Sequence, residues 1–108
     1  MTAQQRVRLE TRLAPPAPSP ASGHARFEQR PDRRRFSVEA EGLRGVTAVI
    51  VQINGRPFGR IAVVGGRAEV ELDSRRGHAV PVLRPGDLVT VHDGGRGTLL
   101  LRGALRGG

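Results

Sequence analysis

From Val46 to Asp73 the chain reads VTAVIVQINGRPFGRIAVVGGRAEVELD, in which two turn signals separate three apolar runs. Asn54-Gly55 suits a type I′ turn, because both central residues of that turn need a positive φ. Gly65-Gly66 turns the chain again, and apolar and charged residues then alternate from Ala68 onwards. Alternation with a period of two predicts a strand buried on one face. The segment therefore predicts a three-stranded antiparallel meander that supplies most of the core.

The second strand of this meander changes parity partway along its length. Phe58 is expected opposite Val51, whereas Ile61 falls on the other face. This change predicts a β-bulge at Pro57-Phe58-Gly59. Pro57 has no N–H to donate to a neighbouring strand, so it also predicts that the strand lies at a sheet edge.

The first 41 residues predict a strand, a loop and a hairpin. Residues 4–13 alternate apolar with charged side chains, whereas residues 14–23 contain four prolines and predict an extended loop. Residues 24–41 predict a hairpin that turns at Pro31-Asp32. In that register Phe27 faces Phe36, and Glu28 faces Arg35 as an ion pair on the opposite side of the hairpin.

The rest of the chain continues the pattern of short apolar runs and turns. Residues 79–83 contain Pro81 and predict a short edge piece or a packed loop, and residues 88–92 and 98–102 predict two more strands. Residues 106–108 predict a flexible end. Seven or eight short strands at regular spacing predict one all-β domain over residues 1–108, an antiparallel Greek-key-like sandwich or barrel.

Composition excludes several classes of protein. The 108 residues contain no cysteine, which removes disulfides, thiolate catalysis and cysteine-based metal sites. No run of about 18 apolar residues occurs, so no membrane insertion is expected. The first ten residues lack the apolar core of a signal peptide. The chain is therefore expected to be cytosolic, to follow a removed leader, or to be one domain of a longer protein, and its compartment stays open.

Candidate catalytic and metal-binding residues form no recognisable motif. Histidines and aspartates that a fold could bring together are His24, His78, His92, Asp73, Asp87 and Asp93. They show neither the H-x-H nor the H-E-x-x-H spacing of metal sites, and no serine stands in a nucleophile motif. We therefore predict a protein that is not an enzyme and that needs neither a cofactor nor a metal.

The best candidate site is a cluster of five arginines on the predicted hairpin, Arg26, Arg30, Arg33, Arg34 and Arg35, in a chain with a net charge of +8. Arginine binds phosphate and carboxylate through paired hydrogen bonds, so the cluster predicts a binding site for polyanions such as nucleic acid or sulfated polymers. The chain has no Tyr or Trp, so stacking on bases is nearly unavailable. A solvated hairpin tip is the alternative, because a GC-rich coding sequence also yields arginine as the only basic residue type.

Three parts of the sequence carry a resemblance to a known class of domain, namely residues 25–43, residues 51–55 with 59–63, and residues 69–73 with 80–87. Together they resemble an all-β domain of about 100 residues that occurs, often repeated, in bacterial secreted and surface proteins. The resemblance covers roughly residues 5 to 105. It implies a non-catalytic structural or interaction module in an envelope or extracellular protein.

A second resemblance runs from Asn54 to Leu72. This segment is similar to the end of the surface-presentation domains of flagellar switch and type III secretion proteins, which form intertwined dimers. There a Leu-x-x-Gly-Asp turn precedes the hairpin, whereas here Leu83 to Asp87 follows it. The resemblance implies a dimeric assembly domain as an alternative function. The open sheet edges expected of so small a domain also favour a homodimer, with an unknown protein as the other candidate partner.

Overall fold

A computed structural model describes residues 6–107, which form two antiparallel sheets. The strands are β1 (Val7–Leu13), β2 (Ser22–Arg30), β3 (Arg33–Glu41), β4 (Ala48–Ile53), β5 (Arg56–Ala62), β6 (Ala68–Asp73), β7 (Leu88–Asp93), β8 (Leu99–Ala104) and β9 (Arg106–Gly107). A single turn of 3₁₀ helix, Ser74–Arg76, follows β6. One sheet has the order β6-β3-β2-β1-β9 and the other β5-β4-β7-β8. The predicted all-β, Greek-key-like fold is confirmed, as a sandwich rather than a barrel, with nine strands in the described residues instead of seven or eight.

The core lies between the two sheets and draws on both of them. Phe27 on β2 and Phe36 on β3 are fully buried, and Phe58 on β5 meets Phe36 edge to face with ring centroids 5.4 Å apart. Leu9 and Leu13 on β1 are also buried. The expectation that residues 46–73 supply most of the core is therefore wrong, because the largest buried side chains come from the first three strands.

The predicted meander is also wrong at its third strand. Gly65 and Gly66 form the expected turn with positive φ, but β6 then leaves β5 and pairs with β3 in the other sheet. There Val70 lies opposite Val38. Alternation identifies the face that a strand buries but not the strand beside it. The inward residues of β6 fit the apolar face of β3, which the sequence pattern of β6 alone did not reveal.

The β4–β5 hairpin follows the prediction closely. Asn54 has φ 51° and Gly55 has φ 81°, as a type I′ turn requires, and β5 is an edge strand. The register shifts between Val51, opposite Gly59, and Gln52, opposite Pro57, so Phe58 is the extra residue of a β-bulge. The bulge is confirmed, although Gly59 rather than Phe58 lies opposite Val51.

The β2–β3 hairpin has the predicted register, with Phe27 opposite Phe36 and Glu28 opposite Arg35. Residues 15–21 form the irregular connection before it, and Ser22 and Gly23 already belong to β2. Residues 79–83 form a packed loop in which Val80 and Leu83 are buried.

The C-terminal residues differ from the expected flexible end, because Arg106 and Gly107 form β9 and pair with Glu10 and Leu9. Gly108 and residues 1–5, which include the start of the predicted first strand, lie outside the described residues.

The two sides of the sandwich differ. On one side β1 meets β8 through Ala14 and Arg102, whose backbone groups exchange hydrogen bonds of 3.0 and 2.9 Å. On the other side β5 and β6 are the outermost strands of their sheets and do not pair with each other. We call these the closed side and the open side. Within residues 6–107, no helix has the length and apolar character needed to cross a bilayer.

Candidate functional site

The five candidate arginines lie on β2 and β3 but in different surroundings. Arg26 and Arg30 are exposed, as expected for the solvent face of β2 at Arg26 and for the hairpin turn at Arg30. Arg33, Arg34 and Arg35 are half-buried, because β6 and the segment that follows it cover this end of β3. The position of Arg33 beside the Pro31-Asp32 turn predicts an exposed side chain, and this prediction is wrong.

Arg33 binds a buried carboxylate. Its Nε donates to Oδ1 of Asp73 at 3.1 Å, and its Nη2 donates to Oδ2 of the same residue. Asp73 is only 1% exposed, and its Oδ1 also accepts from the backbone N–H of Arg75 at 3.0 Å. The hydrogen bonds from Arg33 hold the pKa of Asp73 well below its usual value, although burial acts in the opposite direction.

The backbone of Asp73 is fixed as well as its side chain. Its N–H donates to Nδ1 of His78 at 3.0 Å, and its carbonyl accepts from the N–H of His78 at 3.3 Å. Asp73 is also the N-cap of the 3₁₀ turn, whose C-cap is Gly77 in the left-handed region with φ 84°. One residue therefore joins β3, the end of β6 and the loop that follows.

Arg34 holds the loop that carries Pro81. Its Nη1 donates to the carbonyl of Val80 at 2.9 Å, and its Nε donates to Oε1 of Gln29 at 3.3 Å. Its backbone N–H donates to Oγ of Ser74 at 2.9 Å. The guanidinium of Arg34 is thus directed at acceptors within the fold.

Arg35 does not form the predicted ion pair with Glu28. Its Nη2 donates instead to Oε1 of Glu71 at 3.0 Å, while the carboxylate of Glu28 lies 3.6 Å from both Arg8 and Arg30. The cause is that β6 brings Glu71 to one side of the hairpin and β1 brings Arg8 to the other. A pairing inferred from the hairpin alone omits both neighbouring strands.

These contacts make the outer face of the five-stranded sheet, the side away from the smaller sheet, a surface of mixed charge. A cavity of about 240 Å³ on this face is lined by Arg26, Glu28, Arg35, Ser37, Glu39, Glu69 and Glu71. Two arginines and four carboxylates share that lining, so the cavity does not select for a polyanion by charge alone.

The histidines have separate partners. His24 lies 3.8 Å from Glu10, and His78 binds the backbone of Asp73. His92 contacts Oγ1 of Thr90 at 3.0 Å and the carbonyl of Gly97 at 3.4 Å. In the part of the chain from residue 6 to 107, no group of three histidine, aspartate or glutamate side chains is arranged to hold a metal ion.

Sequence reasoning missed the role of Asp73. Alternation along β6 assigns it to the solvent face with Glu69 and Glu71, and nothing in that pattern indicates burial. A local signal was present in Asp73-Ser74-Arg75-Arg76-Gly77, since an acidic residue before a short polar segment and a glycine after it are typical helix caps. The contact with Arg33 spans 40 positions of sequence and has no local signal.

The sequence matches no protein-family model and no curated protein. The function is therefore inferred from the fold and from the contacts described above.

Proposed function

We propose that the protein is a non-catalytic structural or interaction module, of the kind that similar all-β domains provide in bacterial envelope and extracellular proteins. One observation carries the proposal: three of the five hairpin arginines bind acceptors elsewhere in the chain. Arg33 binds Asp73, Arg34 binds the carbonyl of Val80, and Arg35 binds Glu71. Guanidinium groups used in this way brace the sandwich and are less available to a ligand.

Electrostatic binding of polyanions is the second candidate, and the distribution of charge favours it. Seven of the ten carboxylates lie on strands of the five-stranded sheet, at Glu10, Glu28, Glu39, Glu41, Glu69, Glu71 and Asp73. The strands of the smaller sheet carry one carboxylate, Asp93. Among residues 6–107, no carboxylate lies within 4.0 Å of the guanidinium groups of Arg60 and Arg102 on that sheet. Positive charge therefore remains there as well as at Arg26, whereas Arg30 lies beside the carboxylate of Glu28.

Binding to heparin and to duplex DNA at physiological salt separates the two candidates. A structural module with a basic surface is expected to bind weakly at low salt and to lose that binding near 0.15 M, where the Debye length is about 8 Å. A polyanion binder is expected to bind at that salt, with a log–log slope of about 0.9 per phosphate neutralised on duplex DNA.

Two matched variants locate any binding that is found. Arg26→Ser with Arg30→Ser removes the exposed part of the hairpin cluster, and Arg60→Ser with Arg102→Ser removes the same charge from the smaller sheet. Arg33 and Arg34 are left intact, because their loss would disturb the fold. Tight binding by the wild type at physiological salt, lost in either variant, would replace the proposed function with polyanion binding. The variant that loses binding would identify the surface.

A further inference from the structure

The free edge of β6 presents unpaired backbone groups on the open side. The N–H and carbonyl of Asp73 bind His78, so they are directed away from β3. Backbone groups of alternate residues in a strand point to the same side, so those of Glu69 and Glu71 also point away from β3. No backbone partner for them occurs within residues 6–107. The free part of this edge therefore consists of two residues.

The outer edge of β5 likewise presents backbone groups that point away from its own sheet. Val63, just beyond the strand, donates its N–H to the carbonyl of Thr47 at 2.9 Å and so faces β4. By the same alternation, the backbone groups of Ala62 and Arg60 point away from β4. The bulge at Phe58 lies on the far side of Arg60 and leaves the register regular from Arg60 to Ala62.

The two edges are complementary in charge and in apolar surface. On the outer faces of their sheets, β6 carries Glu69 and Glu71, and β5 carries Arg60. On the inner faces, Val70 of β6 and Ile61 of β5 are half-buried and line a narrow apolar opening between the edges. Val64, in the turn that joins β5 to β6, has 76% of its surface exposed.

We propose that the open side pairs with the open side of a second copy, with β6 of each copy adding to β5 of the other. This inference rests on the proposed function, because it names the partner of the interaction module. The two-fold axis runs parallel to the strands along the open side. Each five-stranded sheet then continues into the four-stranded sheet of the other copy, outer face beside outer face.

The Gly65-Gly66 turn sets the register of this pairing. Within one copy it places Val64 directly opposite Arg67. A two-fold axis parallel to the strands keeps every residue at its own level along the axis. Arg60 lies four residues before Val64, and Glu71 lies four residues after Arg67. Arg60 of one copy therefore falls opposite Glu71 of the other, and the free backbone groups of both residues face each other.

Charge disfavours the other symmetric arrangement. A two-fold axis perpendicular to the sheets would place β6 against β6 and β5 against β5. With this axis at the level of Arg60 and Glu71, each of these two residues would face its own equivalent in the other copy. Like charges directly opposite each other destabilise a strand pair. The dimer that pairs β6 of each copy with β5 of the other places opposite charges beside each other at both edges.

A charge exchange tests the proposal. Analytical ultracentrifugation of the wild type across a wide concentration range is expected to show a monomer–dimer equilibrium. Arg60→Glu and Glu71→Arg should each weaken dimerisation about tenfold or more, because the altered pair occurs twice in the dimer. The double variant should restore the dimer. Glu71→Arg also affects Arg35, and Arg60→Glu also removes the hydrogen bond that Nη1 of Arg60 donates to the carbonyl of Gly94 at 3.0 Å. Circular dichroism of each variant therefore checks the fold.

Two control variants change charge on the same faces but away from the open side. Arg102→Glu on β8 and Glu10→Arg on β1 are expected to leave dimerisation unchanged.

Amide exchange at Arg60, Glu69 and Glu71 should slow as the protein concentration rises, as edge pairing requires. A wild type that stays monomeric, single variants without effect, or a double variant that stays monomeric would overturn the proposal. Tighter association of Glu71→Arg would indicate β6 against β6. A monomer would leave the heparin and DNA result unaffected, so the two proposals fail separately.

Discussion

At the level of single residues, Asp73 joins β3, the end of β6 and the loop that follows. Its carboxylate accepts from Arg33 and from the N–H of Arg75, and its backbone binds His78. A buried carboxylate is stable only when charge and hydrogen bonds replace the water it has lost. Arg33 supplies the charge and the 3₁₀ turn supplies a backbone donor. From the sequence, Arg33 belongs to a predicted ligand-binding cluster. In the structure its guanidinium instead stabilises the buried carboxylate of Asp73.

Asp73→Asn is expected to destabilise the protein at neutral pH, because Arg33 loses its counter-charge while it stays half-buried. The pKa of Asp73 is lowered in the folded state from an ordinary value of 3.8. The charge of Asp73 therefore contributes its full stability above about pH 5, and this contribution is lost as the pH falls through 3.8 towards the lowered pKa of the folded state. Urea unfolding at several pH values measures the difference in the free energy of unfolding between wild type and variant. This difference should be constant from pH 7 to about 5 and should decrease below about 4.

Asp32→Asn is the matched control for this measurement. Asp32 also has a lowered pKa, through its hydrogen bond with Arg75, but it is exposed. The free energy of unfolding of Asp32→Asn should differ much less from that of the wild type at neutral pH, because water screens an exposed ion pair. A gap for Asp73→Asn that widens as the pH falls would contradict the role assigned to this carboxylate.

At the scale of elements, the β4–β5 hairpin depends on the backbone of its turn. Gly55 has φ 81°, and a Cβ built on it would meet nothing within 4 Å. Gly55→Val therefore introduces no clash, and its cost arises from a β-branched residue held at positive φ, about 1–2 kcal/mol or more. Thermal unfolding should show a lower melting temperature for Gly55→Val and a smaller decrease for Gly55→Ala.

Gly107→Val provides the comparison, since Gly107 lies in β9 with open space around its Cα and without a positive φ. Equal melting temperatures for Gly55→Val and Gly107→Val would mean that the turn does not constrain the hairpin.

The same elements indicate how far the sequence alone predicts the structure. The Asn54-Gly55 turn, the bulge at Phe58 and the register of Phe27 against Phe36 follow from local chemistry, and the structure has all three. The position of β6 beside β3 depends on packing between segments about 30 residues apart. The acceptors of Arg33 and Arg35 follow from that packing. The arginine cluster was therefore predictable as a group of neighbours, while its internal partners were not.

Across the molecule as a whole, the closed side and the open side differ in whether backbone hydrogen bonds join the two sheets. Backbone hydrogen bonds between Ala14 and Arg102 join the sheets on the closed side. On the open side the backbone groups of Glu69, Glu71 and Arg60 lack such partners within residues 6–107. The closed side is therefore expected to hold the monomer together, and the open side is available for a second copy. Substitutions on the closed side should change the stability of the monomer itself.

Gly103 is the position that tests the closed side. A Cβ at Gly103 would lie 2.7 Å from the carbonyl oxygen of Arg12 and 3.0 Å from Oγ1 of Thr11. Since the first of these is a backbone atom, Gly103→Ala must push β8 away from β1, at a cost of about 1–3 kcal/mol in the free energy of unfolding. Gly107→Ala is the control, because a Cβ there meets nothing within 4 Å. Urea unfolding of both variants at one protein concentration measures the difference, and equal stabilities would show that the sheets do not depend on close contact along this side.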